Sequence, residues 1–121
     1  MRKATDYNYK NVDAIKKIEE DHPEMVNEFW QIVHNQYDTF CAKQLNYGKG
    51  NVMLGGDCRR EEDVAAALMG LAIRITDKAN RLINLTVKNR KDAVGESVID
   101  SFQDLSVYGI IAQIIANKKW L

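Results

Sequence analysis

Apolar residues recur at intervals of three and four positions along most of this chain, which is the spacing of one face of an α-helix. The longest such stripe follows Pro23, a residue favoured in a first helical turn because its missing N–H is not needed there. It predicts a helix of about 22 residues that closes at Tyr47-Gly48, with Gly48 as a left-handed C-cap. The stripe contains Val26, Phe29, Trp30, Val33, Tyr37, Phe40, Cys41 and Leu45.

Two further stripes predict two more long helices. One begins near Arg60–Asp63, where acidic residues complement the dipole of a first helical turn, and it ends around Thr86–Lys88. Its predicted buried positions are Val64, Leu68, Leu71, Ile75, Ala79, Leu82 and Leu85. The other helix extends from about Glu96 to Asn117, and its predicted core face consists of Val98, Ile99, Phe102, Leu105, Gly109, Ala112 and Ala116.

The remaining segments are short. Residues 1–10 are polar and aromatic without a period, which is typical of an extended arm. Asn11 or Asp13 is a candidate cap for a short helix that carries Val12, Ile15 and Ile18. Residues 46–60 hold four of the seven glycines and are predicted to be a connecting loop. Because no strand pattern occurs, we predict a single all-α domain over residues 1–121, a helical bundle of three long helices plus a short N-terminal helix.

Small residues interrupt the faces of two predicted helices. Gly70 lies in the third helix of the chain, and Gly109, Ala112 and Ala116 share a face of the last. Small side chains let another helix approach closely, and a chain with three long helices seldom covers all such faces by itself. We therefore expect oligomerisation, as a homodimer or tetramer, to complete the bundle.

Composition narrows the classes of partner. Lys plus Arg and Asp plus Glu both total 17, so the formal net charge is zero and a general attraction to nucleic-acid backbones is not indicated. The two cysteines, Cys41 and Cys58, are predicted to be reduced thiols of a cytoplasmic protein. No signal peptide is visible, and charges break each apolar stretch short of a membrane span, so we expect no membrane association.

Polar stripes lie beside the apolar ones. Arg74, Asp77, Arg81, Asn84 and Lys88 share one face of their helix. On the last helix, Glu96, Asp100 and Asp104 share a face that continues into Tyr108, Ile111 and Ile115. An acidic stripe that continues into an apolar one is not expected to be fully exposed, and covered like charges need compensation.

Three interpretations of the acidic stripe stay open. It is a solvated helix face, as most charged faces are, or it pairs with Arg74, Lys78 and Arg81 in a salt-bridge network. In the third interpretation its oxygens hold a divalent cation such as Mg²⁺.

The glycine-rich loop matches no standard phosphate-binding motif. Its spacing fits neither GxxxxGK[ST] nor GxGxxG, and no strand precedes it. Glycine most often occurs in turns, so Lys49–Asp57 is predicted to be a flexible connector that lets the chain reverse direction. If this loop contacts a ligand, we expect it to do so as a lid over the charged helices.

An ordered set of residues resembles a known family. Lys43-x-x-x-Tyr47-Gly48, Arg74-x-x-Asp77-Lys78-x-x-Arg81-Leu82 and Glu96-Ser97-x-x-Asp100-x-x-x-Asp104-x-x-x-Tyr108 occur in this order. Together they resemble the phage and bacterial nucleotide-modification-associated domain family, formerly a domain of unknown function. The resemblance covers most of the chain and implies a role in phage nucleotide metabolism or DNA modification, in the host cytoplasm.

The last helix is also similar, more weakly, to that of the all-α nucleoside triphosphate pyrophosphohydrolases of the MazG and dimeric dUTPase group. Those proteins bind Mg²⁺ through acidic residues on two or more helices. The present chain departs from their pattern, because the preceding long helix carries no ExxE pair and only a single acid, Asp77, in its interior.

These resemblances imply a nucleotide-metabolism protein that acts as a Mg²⁺-dependent nucleoside triphosphate pyrophosphohydrolase or a related modifier. Glu96, Asp100 and Asp104 would hold the metal, which would polarise a phosphate and lower the pKa of a bound water. Asp77 and Asp100 are the candidate catalytic carboxylates. The candidate substrate-binding residues are Lys43, Tyr47, Gly48, Arg74, Lys78 and Arg81. The alternative is a non-catalytic nucleotide-binding or accessory protein in which the same charges pair with one another.

Overall fold

The computed structural model describes residues 8–87 and 97–121, and every regular element in these two ranges is helical. The prediction of an all-α fold is therefore confirmed at this level, whereas oligomerisation stays a prediction. A π-helical turn over Ile83–Val87 continues directly from the fourth helix. The α-helices are α1 (Val12–Asp21), α2 (Pro23–Tyr47), α3 (Gly50–Met53), α4 (Glu61–Leu82) and α5 (Val98–Ala116).

The ends of the long helices lie close to the predicted ones. The first residue of α2 is Pro23, and Gly48 follows its last turn with φ of 72°, the left-handed conformation that glycine adopts without cost. At the other end of the chain, α5 starts after Ser97 and closes before Asn117. Several predicted features lie outside the described residues: most of the arm over residues 1–10, Lys88, and the helix start at Glu96.

The glycine-rich segment 46–60 contains structure that the sequence analysis missed. The four residues of α3 form a helix, and Val52, Met53 and Cys58 are buried in the core. The indole Nε1 of Trp120 donates a hydrogen bond to the carbonyl oxygen of Lys49 over 2.8 Å. A four-residue helix is too short to show a period, so the sequence could not distinguish this anchored segment from a flexible connector.

The chain divides into two compact units, Met1–Thr39 and Phe40–Leu121. In the second unit, α4 packs along α5, and α3 packs against α4. The core of this unit consists of Val52, Met53, Cys58, Val64, Ala67, Leu71, Ile111, Ile115 and Trp120. The predicted single domain over residues 1–121 stays a prediction.

The face that α5 buries is not the predicted one. Ile99 and Phe102 are 62% and 54% exposed, whereas Ser101, Ile111 and Ile115 are buried. The helix carries apolar residues on all sides, so periodicity alone does not select the side that packs against α4. The polar line through Asp104 that continues into Ile111 and Ile115 is the side that faces the core.

In the first unit, residues that were predicted to be buried are exposed. Its helix α1 and the whole of α2 contain no buried residue. Phe29 and Tyr37 of the predicted core stripe are 66% and 67% exposed, and Val33 is also exposed. The sequence predicted the helix correctly, but the predicted burial of its stripe is wrong within the described chain.

The two glycines that were expected to allow close helix approach have open space around them. A Cβ atom added at Gly70 or Gly109 would meet no other heavy atom within 4 Å, so the expected close helix approach is not found there within the described residues. By length and composition alone, α5 is long and apolar enough to cross a membrane, as apolar core helices of water-soluble proteins also are. Asp100 and Asp104 interrupt its N-terminal half, so its longest stretch without a charged residue is residues 105–117.

Candidate functional site

Two polar contacts fix how α4 and α5 align. Lys78 Nζ lies 3.1 Å from Asp104 Oδ2, and Arg81 Nη1 donates a hydrogen bond to Ser101 Oγ over 2.6 Å. Residue numbers rise along α4 as they fall along α5, so the two helices are antiparallel. The same register places Arg74 level with Tyr108, one further turn along. We call this line of Arg74, Lys78, Arg81, Ser101 and Asp104 the α4–α5 seam.

The ion pair in the seam is partly shielded from water. The side chains of Lys78 and Asp104 are 23% and 27% exposed, so neither charge is fully solvated. Each provides the compensation that a half-buried charge requires. For Asp104, the structure therefore supports pairing with a basic residue of α4 over the solvated-face interpretation.

Ser101 is a member of the seam that sequence reasoning missed. It is fully buried, with 0% exposure, and its hydroxyl accepts the hydrogen bond from Arg81. Arg81 also donates to the carbonyl oxygen of Ser97 over 3.3 Å. Arg81 thereby joins the C-terminal end of α4 to the N-terminal end of α5. The only sequence signal was the position of Ser101 one turn before Asp104.

Asp100 has a structural partner at the start of α5. Its backbone N–H donates to Ser97 Oγ over 3.0 Å, and its carboxylate Oδ2 accepts from the Ser97 backbone N–H over 3.4 Å. This reciprocal arrangement is a capping box, which satisfies two backbone donors that the first helical turn leaves open. The serine-to-aspartate spacing therefore has a helix-capping explanation that does not involve a metal.

Two of the three predicted metal ligands, Asp100 and Asp104, lie among the described residues. Among the described residues, no group of three or more His, Cys, Asp or Glu side chains is arranged to hold a metal ion. Glu96, one of the three predicted ligands, lies outside those residues, while Asp100 and Asp104 have the partners given above. Mg²⁺ binding through Glu96, Asp100 and Asp104 stays a prediction, and so does the catalytic role of exposed Asp77.

Lys43, Tyr47 and Gly48 lie at the C-terminal end of α2. The side chains of Lys43 and Tyr47 are exposed, and Gly48 forms the left-handed turn that ends the helix. Within the described ranges, neither side chain forms a hydrogen bond, an ion pair or a ring contact. The structure thus gives Gly48 a clear conformational role and leaves Lys43 and Tyr47 accessible.

Arg74 differs from the other basic residues of the seam. It is half-buried, yet it forms no hydrogen bond or ion pair with any residue in the described parts of the chain. Lys78 follows it by four positions and Arg81 by seven, so all three lie on one helix face. A partly desolvated guanidinium without a counter-charge is a favourable position for an anion.

A second charged cluster holds the glycine-rich segment to the start of α4. Arg59 Nε and Nη2 each lie 3.0 Å from an oxygen of Asp57, and these hydrogen bonds lower the pKa of that carboxyl to about 2. The backbone N–H of Asp57 donates to Asp63 Oδ2 over 3.0 Å. A Cβ atom at Gly56 would lie only 2.9 Å from Asp63 Cγ, so a larger residue there would displace that carboxylate.

These contacts change the interpretation of the loop. Arg59, which lies in the predicted loop over residues 46–60, pairs with Asp57, and Arg60 pairs with Glu62. Lys118, after the end of α5, pairs with Glu61 at the start of α4. The charges around the loop thus connect it to its own helices, and the lid stays a prediction.

The fold and the seam define an all-α protein with a polar contact line between two antiparallel helices. No protein-family model, no curated protein and no solved structure matches the chain.

Proposed function

We propose that this chain is a nucleotide-binding protein whose α4–α5 seam holds the phosphate groups of the ligand without catalysing a reaction. The observation that supports this proposal is Arg74, a half-buried guanidinium with no partner among the described residues. A phosphate offers paired oxygens that match the planar fork of arginine, and charge-assisted bonds of this kind are stronger than neutral ones. Binding would therefore supply the missing counter-charge.

The neighbouring cations would extend the same anion site. Lys78 and Arg81 lie on the Arg74 face, and their contacts with Asp104 and Ser101 fix where their side chains point. Groups held in place before binding lose less conformational entropy when the ligand arrives. Exposed Tyr47 is the candidate base-stacking residue, and Lys43 is a further candidate phosphate contact. We place this function in the cytoplasm.

A second candidate function is Mg²⁺-dependent pyrophosphohydrolysis. The observation that favours it is that Asp77 and Asp100 are exposed carboxylates on the two helices that form the seam. Glu96, Asp100 and Asp104 would supply carboxylate oxygens of the kind that Mg²⁺ prefers. The metal, when bound, would supply Lewis-acid activation of a phosphate. The chain's own contribution would be to position that phosphate through Arg74 and Lys78.

Calorimetric titration with a panel of deoxynucleoside triphosphates, with and without Mg²⁺, tests the proposal. We expect wild-type protein to bind at least one nucleotide, and Arg74→Ala to weaken binding about tenfold or more. Arg60→Ala is the matched control, because Arg60 is an exposed arginine outside the seam that pairs with Glu62. This control should bind like wild type.

The same incubations separate the two candidates. Binding without release of pyrophosphate supports the non-catalytic function. Pyrophosphate release that Asp100→Asn abolishes would replace it with the enzymatic one. If wild-type protein binds no nucleotide, or if Arg60→Ala weakens binding as much as Arg74→Ala, the seam is not the phosphate site.

A further inference from the structure

The α1–α2 pair has an apolar surface that the described chain leaves uncovered. No residue of either helix is buried, although α2 has 25 residues and carries an apolar stripe along its length. Helices in water are marginal unless tertiary packing covers an amphipathic face. The uncovered face is therefore a candidate contact surface.

The apolar arc of α2 is wider than one neighbouring helix covers. At about 100° per residue, Met25, Phe29 and Ile32 lie within roughly 60° of one another, while Val26 and Trp30 lie further round the helix. Val26 and Trp30 are half-buried, whereas Met25, Phe29 and Ile32 are 59%, 66% and 46% exposed. One side of the arc is thus partly covered within the chain, and the other side is open.

A cleft between the two helices continues this open face. It has a volume of about 460 Å³ and is lined by apolar side chains of α1 and α2, including Ile15, Ile18 and Phe29. Among the described residues that line it, Glu19 is the one that is charged. We call the cleft, together with Met25, Phe29, Ile32, Val33 and Tyr37, the α2 face.

We propose that the α2 face is the contact surface between two copies of this chain, which associate about a two-fold axis into a four-helix arrangement of paired α1 and α2. This deepens the expectation of an oligomer by naming the surface, and it does not depend on nucleotide binding. In a two-fold contact the same patch of each copy faces the other, so like charges within the patch would repel one another.

The charge pattern of α2 meets that condition. Over residues 24–38, Glu24, Glu28 and Asp38 all lie outside the apolar arc, which extends about 140° round the helix from Ile32 to Tyr37 and holds no charged side chain in these turns. Residues 1–39 hold five Lys plus Arg and eight Asp plus Glu, a net charge of −3. Two such units would repel one another if the contact lay on their acidic side. The uncharged arc is therefore the surface on which two copies can meet.

The exposed area is sufficient for a contact of modest size. Five exposed apolar residues of the α2 face, Met25, Phe29, Ile32, Val33 and Tyr37, present roughly 500 Å² per copy, given about 150–250 Å² for a fully exposed aromatic side chain and the exposures of 37% to 67% that the structure shows. Two copies would bury roughly 1,000 Å² in total, which is the threshold for a biological interface and corresponds to a concentration-dependent dimer. The residues that line the cleft would add to this area.

Sedimentation equilibrium over a range of protein concentrations tests the association. We expect wild-type protein to approach twice the 13.8 kDa chain mass as its concentration rises, and Phe29→Glu to stay monomeric. Leu45→Glu is the matched control: Leu45 is an apolar residue of the same helix, 89% exposed, on the opposite side from Met25. This control should associate like wild type. A wild-type monomer at all concentrations, or a Phe29→Glu dimer, would overturn the proposal.

Disulfide trapping tests the arrangement without a destabilising charge. Ile32 lies near the middle of the α2 face, so Ile32→Cys should meet its own symmetry mate and form a dimer on mild oxidation with diamide. The background is Cys41→Ser, which removes the exposed native thiol. Asp38→Cys in the same background should stay monomeric, because position 38 lies about 120° round the helix from Ile32, on the polar side. Equal trapping at both positions, or trapping only at position 38, would contradict the two-fold contact.

Discussion

Helices α2 and α4 have similar sequence patterns and opposite environments. They contain 25 and 22 residues, and both carry apolar residues at intervals of three and four. Yet α4 buries Val64, Ala67, Leu71 and Leu82 within the chain, while α2 buries none. A stripe of this kind therefore predicts that a helix forms, and it does not predict which surface covers it.

The difference follows from what lies next to each helix. The long helix α5 and the short helix α3 both pack against α4. Trp120 belongs to the same core, and its ring contacts Phe40 edge-on at 5.9 Å. The cleft beside α2 has mainly the ten-residue α1 on its other side. The free energy of packing is thus concentrated in the second unit, and a partner copy would supply it to α2.

Truncation of a core isoleucine should show this contrast most strongly. Ile115 is 0% exposed, so Ile115→Ala should lower the free energy of unfolding by about 2–5 kcal/mol, the cost of lost burial plus a cavity. Ile32→Ala on α2 removes the same atoms from an exposed position and should cost within about 0.5 kcal/mol in dilute protein. Urea denaturation measures both.

The dependence of these two stability losses on protein concentration tests the same difference between α2 and α4. If a second copy covers the α2 face, the cost of Ile32→Ala should rise with concentration, because association stabilises the folded state by mass action. The cost of Ile115→Ala should not. Equal losses in the free energy of unfolding for the two variants in dilute monomer would mean that α2 is buried within its own chain, which would contradict its exposure in the structure.

Removal of one hydrogen bond from Trp120 should have a smaller effect. Trp120→Phe keeps a ring beside Phe40 but removes the donor that bonds the Lys49 carbonyl. An unsatisfied, partly buried carbonyl costs about 1–3 kcal/mol, so we expect a loss at the lower end of that range. Hydrogen exchange of the α3 amides should accelerate more than that of the α4 amides, because Lys49 directly precedes α3. Uniform acceleration would contradict this local role.

Much of the helical architecture was predictable from local signals. Pro23 and Gly48 fix the two ends of α2 through backbone conformation, which depends on the residues themselves. The buried stripe of α4 was also correct at Val64, Leu71 and Leu82. Local rules failed for the buried face of α5, because its apolar residues surround the helix and only the contact with α4 selects one side.

The sequence indicated which types of side chain form the candidate site, but it did not indicate which residues those side chains contact. Pairing of the acidic stripe with basic residues of the preceding helix was one of three open interpretations, and the Lys78–Asp104 contact is of that kind. Ser101 was missed because its role depends on the antiparallel register, which no local pattern encodes. The capping role of Asp100 was visible in the Ser97-x-x-Asp100 spacing but was attributed to metal binding.

The two units also offer a comparison between ion pairs. Lys78 and Asp104 lie 3.1 Å apart with side chains 23% and 27% exposed, whereas Lys17 and Asp21 in α1 lie 3.2 Å apart at 70% and 39%. Double-mutant cycles with Lys78→Met and Asp104→Asn should give a coupling of about 1 kcal/mol, because the pair is partly desolvated. The Lys17–Asp21 cycle should give about 0.3–0.5 kcal/mol at most. A larger coupling in α1 would contradict the contrast.

The smallest expected effect is the titration of Asp57, which pairs with Arg59 within the glycine-rich segment. Hydrogen bonds from the Arg59 side chain and backbone lower the pKa of Asp57 from its ordinary value of 3.8 to about 2. Because the folded-state pKa is the lower one, the stabilising contribution is fully present above about pH 4 and is lost as the pH falls through about 2. Carboxyl-carbon NMR should show a midpoint near 2 in wild-type protein. In Arg59→Ala the midpoint should return towards 3.8, whereas Arg60→Ala should change it little, since Arg60 pairs with Glu62. A midpoint near 3.8 in wild-type protein would show that the Asp57–Arg59 pair does not form in solution.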